Sequence, residues 1–219
     1  MDTARYEGSG RGRREAMMLR VGLTGGIACG KSTVSGMLRD HDCQVLAADP
    51  LGHELLEPGQ AAYEEVVREF GKDVLAESGR VDRKKLGAVV FADPAKRAKL
   101  NWILHPKILD VIRQWFKALD RPGGPEFAVL EAALIYEAAV NKELNRVVVC
   151  WCEPEQQLER LETRGLTSEE ARRRVAAQMP VEEKKRLADE VIDCSGSLEE
   201  TERQVVRLIE KLKASSAAK

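Results

Sequence analysis

Short apolar runs alternate along the sequence with segments in which apolar residues recur at helical spacing. The apolar runs are Leu19–Thr24, Gln44–Ala48, Phe127–Leu130, Val147–Trp151 and residues 190–193. Runs of this length that are bounded by turn residues are typical of buried strands. Because helical segments separate the runs, we expect one parallel sheet with helices packed on it. The pattern therefore predicts an α/β fold.

Two long stretches carry helical spacing with no strand between their helices, residues 51–119 and residues 153–188. Asp82 and Asp93 are suited to cap helices in the first stretch, and Thr167 opens a capping-box pattern in the second. We predict that the first stretch is an inserted helical subdomain on the acceptor side of the site and that the second is a helical lid. The remaining segments, assigned to a nucleotide-binding core, are 19–50, 120–152 and 189–213.

The loop after the first predicted strand carries the strongest motif of the chain. Residues 25–32 read Gly-Gly-Ile-Ala-Cys-Gly-Lys-Ser, a complete G-x-x-x-x-G-K-[ST] pattern between a strand and a helix. Such a loop presents backbone N–H groups and a helix N-terminus to phosphates. We expect Lys31 to reach the β- and γ-phosphates of ATP and the Ser32 hydroxyl to bind Mg²⁺. The fold is thus predicted to be a P-loop NTPase fold. The predicted nucleotide-binding residues are Gly25, Gly26, Ile27, Ala28, Cys29, Gly30, Lys31, Ser32 and Thr33.

Two acidic residues follow predicted strands, at the sheet edge where parallel α/β sheets bind ligands. Asp49 ends the second strand, where a carboxylate can accept the proton of an attacking hydroxyl, although an aspartate there can also cap a helix or belong to a turn. Glu131 ends the third strand, where it can hold the hydration shell of Mg²⁺ or orient the acceptor, although a structural role is the alternative. These acids favour a kinase over other P-loop proteins.

Arg160 and Arg164 are spaced i,i+4 on a predicted helix of the lid and therefore project from one helix face. Cations on a segment that closes over a triphosphate can stabilise the transferring phosphoryl group and exclude water. We expect both arginines to act in catalysis, with a solvated helix face as the alternative.

Composition limits the partners that the chain can have. Lys and Arg together number 35 and Asp and Glu 36, giving a net charge of -1, so we expect neither nucleic acid nor a membrane as a partner.

The five cysteines lack C-x-x-C spacing, which favours reduced thiols and a cytoplasmic location. We expect a packing role for Cys29 and a disordered extension over residues 1–18. The sequence leaves the oligomeric state open.

Several segments, taken in order, resemble the dephospho-CoA kinase family over residues 19–212. They are VGLTGGIACGKSTV (21–34), AADPLGHELL (47–56), LNWILHP (100–106), ALIYE (133–137) and AAQMP (176–180). The P-loop is shared by many families, whereas Arg83, the triplet 104–106 and the segment 178–180 are more particular to this one.

The resemblance implies an enzyme that uses MgATP to phosphorylate the ribose 3'-hydroxyl of dephospho-CoA, the last step of coenzyme A synthesis. It implies that Asp49 is the base and that Arg83, His105 and Glu137 lie near the acceptor. It also implies that Arg160 and Arg164 belong to the lid. Judged from sequence alone, His105 can instead be a histidine at a helix boundary, because Pro106 follows it. The chain departs from the usual family pattern at four positions, namely Ala47, Asn101, Ala133 and Cys194.

Two further functions fit the same pattern. Another small-molecule kinase, acting on a nucleoside monophosphate or a sugar acid, can use the same core and lid. An ATP-binding regulatory module can keep the P-loop without transferring a phosphoryl group. The acceptor that supports turnover distinguishes one small-molecule kinase from another. The effect of Asp49→Ala on turnover and on ATP binding distinguishes a kinase from a regulatory module.

Overall fold

Five parallel strands form the central sheet of the protein. The computed structural model describes residues 18–217, and in it the strand order is β2-β3-β1-β4-β5. The predicted α/β fold with a parallel sheet is confirmed. The strands are β1 Leu19–Gly25, β2 Gln44–Ala47, β3 Phe127–Glu131, β4 Arg146–Trp151 and β5 Glu190–Asp193.

Helices cover the sheet and fill the two long segments between strands. They are α1 Lys31–Asp40, α2 Leu51–Glu54, α3 Tyr63–Phe70, α4 Arg83–Ala92, α5 Pro94–Leu119, α6 Pro154–Thr163, α7 Ser168–Ala176, α8 Val181–Leu187 and α9 Leu198–Ala217. The predicted caps are present. Asp82 and Asp93 accept backbone N–H groups at the starts of α4 and α5, and Thr167 forms a capping box with Glu170.

Separate hydrophobic clusters lie under the sheet and within the inserted helices. Val34 of α1 and Val205 of α9 pack with Val21 of β1 in the cluster under the sheet. Val66 of α3 and Ile103 of α5 belong to a cluster within the insert. The second half of α5 reaches the sheet as well, in a third cluster that contains Phe116 and Leu130. Helix α5 therefore connects the insert to the sheet. The division into a nucleotide-binding core, an inserted helical subdomain on the acceptor side and a lid stays a prediction.

Helix α5 continues through Pro106, so His105 lies inside a helix and the alternative of a helix-boundary histidine is wrong. A proline inside a helix removes one backbone hydrogen bond and costs about 3 kcal/mol. Ile103, Ile112 and Phe116 are all buried on either side of this point. Burial of such side chains contributes roughly 1.5–3 kcal/mol each, which is enough to offset the proline.

The predicted N-terminal extension lies outside the described residues except at its last position. Met18 is buried, and its N–H donates to Asp120 Oδ1 at 3.2 Å. This residue therefore packs with the folded chain. Between residues 18 and 217, no helix combines the length and apolar character needed to cross a membrane.

Candidate active site

The P-loop connects the buried strand β1 to helix α1. Gly30 precedes the helix with a φ of 89°, a left-handed conformation that glycine adopts without strain. No side chain caps this end of α1, and its first turn contains no acidic residue. The N–H groups and the positive dipole end of the helix therefore face the loop without a competing carboxylate, which suits a bound phosphate.

Lys31, the first residue of α1, is held between two carboxylates. Its Nζ lies 2.7 Å from Glu131 Oε1 and 3.5 Å from Asp49 Oδ2. The three side chains come from the helix after β1 and from the ends of β3 and β2, which are neighbouring strands. The sheet thus brings together the lysine and both acids that the sequence predicted for the site.

Glu131 is the most constrained of these groups, with a side chain only 8% exposed. Its Oε2 accepts a hydrogen bond from Ser35 Oγ at 2.6 Å and lies 3.6 Å from Arg39 Nη2. Burial acts to raise the pKa of Glu131, but hydrogen bonds from Lys31 and Ser35 outweigh it and lower the pKa below its usual value. Glu131 is therefore ionised at neutral pH.

Asp49 differs from Glu131 in its exposure, since its side chain is 61% exposed. The following helix α2 has Pro50 at its N-cap and receives no side-chain cap, so Asp49 lies in the turn before the helix and does not act as its N-cap. The carboxylate is instead directed to Lys31 and lines an open cavity. This arrangement leaves it accessible to a hydroxyl that enters the cavity.

A first cavity, of about 240 Å³, lies between the insert and the sheet edge. Asp49 and His105 both line it, together with Asn101, where the chain departs from the usual family pattern. Arg83, exposed in the first turn of α4, and Glu137 do not belong to its lining. The other lining residues are Ala48, Gly52, Leu104, Ile108, Leu109, Ile112, Leu130, Ala132, Leu134, Ala138 and Val140.

A second cavity, of about 230 Å³, borders the P-loop residues Ala28 and Gly30. Arg160 and Arg164 line it with Gly30 and Thr33, so the structure brings both predicted arginines to the loop. Arg160 donates to the carbonyl oxygen of Ala28 at 3.2 Å and to that of Cys194 at 2.7 Å. This residue is therefore not part of a merely solvated face, whereas Arg164 is exposed.

Glu137 pairs with a lysine that the sequence reasoning did not single out. Lys184 has a side chain with 0% exposure, and its Nζ lies 2.8 Å from Glu137 and 2.7 Å from the carbonyl oxygen of Ala133. Glu137 also accepts the N–H of Met179 at 3.0 Å. Burial acts to raise the pKa of Glu137, but the hydrogen bonds from Lys184 and from backbone N–H groups, together with the charge of Lys184, outweigh it and lower the pKa. These contacts connect the segment after β3 to the C-terminal end of the predicted lid. The carbonyl oxygen of Ala133 also accepts a bond from Thr24 Oγ1.

The thiols are free in the described chain, as the sequence predicted. Cys29 of the P-loop is nevertheless close to Cys152, with 3.5 Å between the sulfur atoms. A hydrogen bond with Cys152 and burial both raise the pKa of Cys29. A protonated and fully buried thiol is a poor nucleophile, so its environment fits packing.

A magnesium ion would meet oxygen ligands here, the type that it prefers. Ser32 is exposed in the first turn of α1, and the carboxylates of Glu131 and Asp49 lie on either side of Lys31. The described residues contain no cluster of three or more His, Cys, Asp or Glu side chains that could hold a metal ion. The hydroxyl and carboxylate oxygens present here are of the kind that fits Mg²⁺.

Sequence reasoning did not single out four side chains that hold the site, namely Ser35, Gln157, Gln178 and Lys184. Gln178 belongs to the segment 178–180 that resembles the family, and that resemblance does not predict its contact with the P-loop. The other three lie in ordinary helices, and their partners are distant along the chain, with Ser35 separated from Glu131 by 96 positions and Gln157 from Ile27 by 130. No local pattern marks such pairs.

Three features define the class of the protein. They are a P-loop between β1 and α1, two acids at the ends of adjacent strands, and arginines on the helix after β4. It is a P-loop phosphotransferase, with a parallel α/β core and a helical insert.

Comparison with known proteins identifies the family within this class. The family model described as dephospho-CoA kinase matches residues 19–200. A dephospho-CoA kinase domain-containing protein of Danio rerio is 46% identical over 198 residues, covering 89% of this chain and 86% of that protein. Dephospho-CoA kinase of Carboxydothermus hydrogenoformans is 43% identical over 194 residues, covering 88% of this chain and 94% of that protein. The solved structure of dephospho-CoA kinase from Campylobacter jejuni superposes with a TM-score of 0.70 at 28% sequence identity, covering 90% of this chain and 98% of that structure. The chain belongs to the dephospho-CoA kinase family.

Proposed function

We propose that this protein transfers the γ-phosphate of ATP to the ribose 3'-hydroxyl of dephospho-CoA, giving coenzyme A and ADP. The observation that carries the proposal is the position of Asp49. Its carboxylate lies 3.5 Å from the P-loop lysine and lines the cavity that also contains His105. One carboxylate therefore borders both the phosphate site and a site for an acceptor.

Lys31 and Asp49 have different roles in the proposed reaction. Lys31 moves from Glu131 to the β- and γ-phosphates when ATP binds, because a phosphate carries more charge than one carboxylate. Asp49 accepts the proton of the attacking hydroxyl, which makes the oxygen a better nucleophile as the phosphoryl group transfers. Since phosphoryl transfer needs positioning and charge stabilisation above all, these two groups are expected to dominate the rate.

Mg²⁺ is proposed to bind with the nucleotide, with the Ser32 hydroxyl as a ligand and Glu131 ordering its hydration shell. The ion neutralises phosphate charge when it is bound. Glu131 is suited to this role because it stays ionised at neutral pH and because the sheet fixes its position.

Arg160 and Arg164 are proposed to face the triphosphate from the second cavity. Arg164 is exposed and free to turn toward the transferring phosphoryl group, whereas Arg160 is held by two carbonyl oxygens. His105 is proposed to contact the acceptor in the first cavity. Roles for Arg83 and Glu137 in acceptor binding stay predictions that come from the family resemblance.

Composition and cysteine chemistry bear on the expected partners and location. The net charge of -1 supports the absence of a nucleic-acid partner, and the free cysteines support a cytoplasmic location. Both stay predictions.

An ADP-release assay with MgATP and a panel of acceptors tests the proposal. The panel contains dephospho-CoA, adenosine, AMP, shikimate and gluconate, and mass spectrometry identifies each product. Release that depends on dephospho-CoA, with a product one phosphate heavier, is the expected result. Turnover with a different acceptor only would replace the proposed substrate. ATP binding without any turnover would favour the regulatory module.

A further inference from the structure

Two glutamine side chains hold the backbone of the P-loop on either side of Ile27. Gln157 Nε2 donates to the carbonyl oxygen of Ile27 at 2.7 Å, and Gln178 Oε1 accepts the N–H of Ile27 at 2.9 Å. Gln157 lies in α6 and is only 3% exposed, while Gln178 lies in the turn between α7 and α8. The two consecutive peptide groups that flank Ile27 are thus each fixed by a side-chain amide.

The bond from Gln157 determines which way the next N–H of the loop points. In a trans peptide the C=O and the N–H point in opposite directions. Because the Ile27 carbonyl is directed to Gln157, the Ala28 N–H of the same peptide group is directed away from Gln157. Ala28 itself has a φ of 62°, which a freely moving alanine rarely adopts. Gln157 therefore supports a conformation that the loop sequence alone disfavours.

Gly26 explains how Gln157 comes so close to the loop. A Cβ atom built on Gly26 would collide with Gln157 Nε2. The glycine at this position thus leaves room for a side chain that holds the loop, in addition to any room that it leaves for phosphate. Arg160, one turn after Gln157 on the same face of α6, holds the next carbonyl, that of Ala28.

Gln178 is itself fixed from behind. The N–H of the next residue, Met179, donates to Glu137, which is paired with the buried Lys184. Gln178 therefore holds the Ile27 N–H from an anchored position at the C-terminal end of α7. Both glutamines belong to residues 153–188, the segment predicted to form the lid, one near each end.

We propose that Gln157 and Gln178 are positioning residues for phosphoryl transfer, which set the direction of the P-loop N–H groups and couple them to the two ends of the lid segment. The Ile27 N–H is occupied by Gln178, so the loop presents the Ala28 N–H and the first turn of α1 to the phosphates. This inference rests on the proposed function, but part of its test does not depend on the acceptor.

The test compares alanine and glutamate variants at the two positions. Gln157→Ala and Gln178→Ala are expected to raise the Kd for MgATP about tenfold, because the phosphate donors lose their orientation. We expect kcat with dephospho-CoA to fall roughly 10- to 100-fold, with an unchanged KM for dephospho-CoA. Calorimetry measures the affinity, and initial rates at saturating ATP measure kcat.

The glutamate variants distinguish positioning from a structural role. In Gln178→Glu the carboxylate still accepts the Ile27 N–H, so kcat is expected to recover most of the loss seen in Gln178→Ala. In Gln157→Glu the carboxylate faces the Ile27 carbonyl and offers no donor, so no recovery is expected. The added charge repels ATP in both variants, which saturating ATP compensates.

Gln156→Ala provides the matched control, since Gln156 is the neighbouring glutamine of α6 and donates to the Ser195 carbonyl instead of the P-loop. It is expected to keep the Kd for MgATP and kcat while shifting the Tm as much as Gln157→Ala does. Equal losses of ATP affinity in Gln156→Ala and Gln157→Ala, or no advantage of Gln178→Glu over Gln178→Ala, would overturn the proposal. If the parent protein binds MgATP but shows no turnover with dephospho-CoA, the proposed function fails, and the Kd comparison still decides the role of the glutamines.

Discussion

The ion pair between Glu131 and Lys31 gives a stability prediction that is independent of activity. We expect Glu131→Gln to lower the free energy of unfolding by about 3 kcal/mol at pH 7, because it leaves a half-buried ammonium without its closest partner. The pair is separated by 2.7 Å, and the Glu131 side chain is 8% exposed, so solvent screens it weakly. For a chain of this size the Tm is expected to fall by roughly 6–12 °C.

The pH dependence of this effect follows from the lowered pKa of Glu131. A carboxyl whose pKa is lower in the folded state contributes stability above its unfolded pKa, about 4.3, and loses that contribution as the pH falls through the folded value. Urea unfolding of Glu131→Gln and the parent should therefore differ most near pH 7. The difference is expected to shrink below about pH 4.

Asp49→Asn is the matched control, because it removes the other carboxylate near Lys31 from an exposed position. We expect a change in the free energy of unfolding below about 1 kcal/mol, as is usual for exposed pairs. If Glu131→Gln and Asp49→Asn were equally stable at pH 7, burial would not govern the strength of these pairs, and the reasoning would be refuted.

Four further variants test individual roles. Lys31→Ala should lower kcat by roughly a thousandfold or more, and retained turnover would overturn the P-loop assignment. Asp49→Ala should lower kcat by about 100-fold or more while calorimetry shows unchanged MgATP binding, and a loss of binding instead would contradict a base role. Cys29→Ala should keep kcat within about threefold, because a buried protonated thiol takes no part in the chemistry, and a much larger loss would indicate otherwise. Lys184→Met should lower the free energy of unfolding by about 3 kcal/mol in a urea titration, since it leaves Glu137 without its cation, and an unchanged midpoint would argue against the pair.

The sequence allowed the fold and the phosphate loop to be predicted because their signals are local. Strands buried on both faces appear as continuous apolar runs, and the P-loop is one contiguous motif. Asp49 and Glu131 could be placed as well, because each directly follows a strand and parallel strands end at one sheet edge.

The interactions that hold the site could not be predicted, because their partners are distant in sequence. Gln157 and Ile27 are separated by 130 positions, and Lys184 is separated from the Ala133 carbonyl by 51. His105 was open to misassignment for a different reason. A proline usually indicates a helix boundary, but packing of α5 against both the insert and the sheet offsets the lost hydrogen bond.

Two of the departures from the family pattern contribute main-chain oxygens to the site. Ala133 accepts from Lys184 and Cys194 accepts from Arg160, each through its carbonyl oxygen. Every amino acid supplies that atom, so selection on these contacts acts on the donor and hardly at all on the acceptor. In a saturation scan, substitutions of similar volume at 133 and 194 would be tolerated while those at 160 and 184 would not. A comparison of related sequences would then reveal the donor side chain of each interaction but not the residue whose carbonyl oxygen accepts.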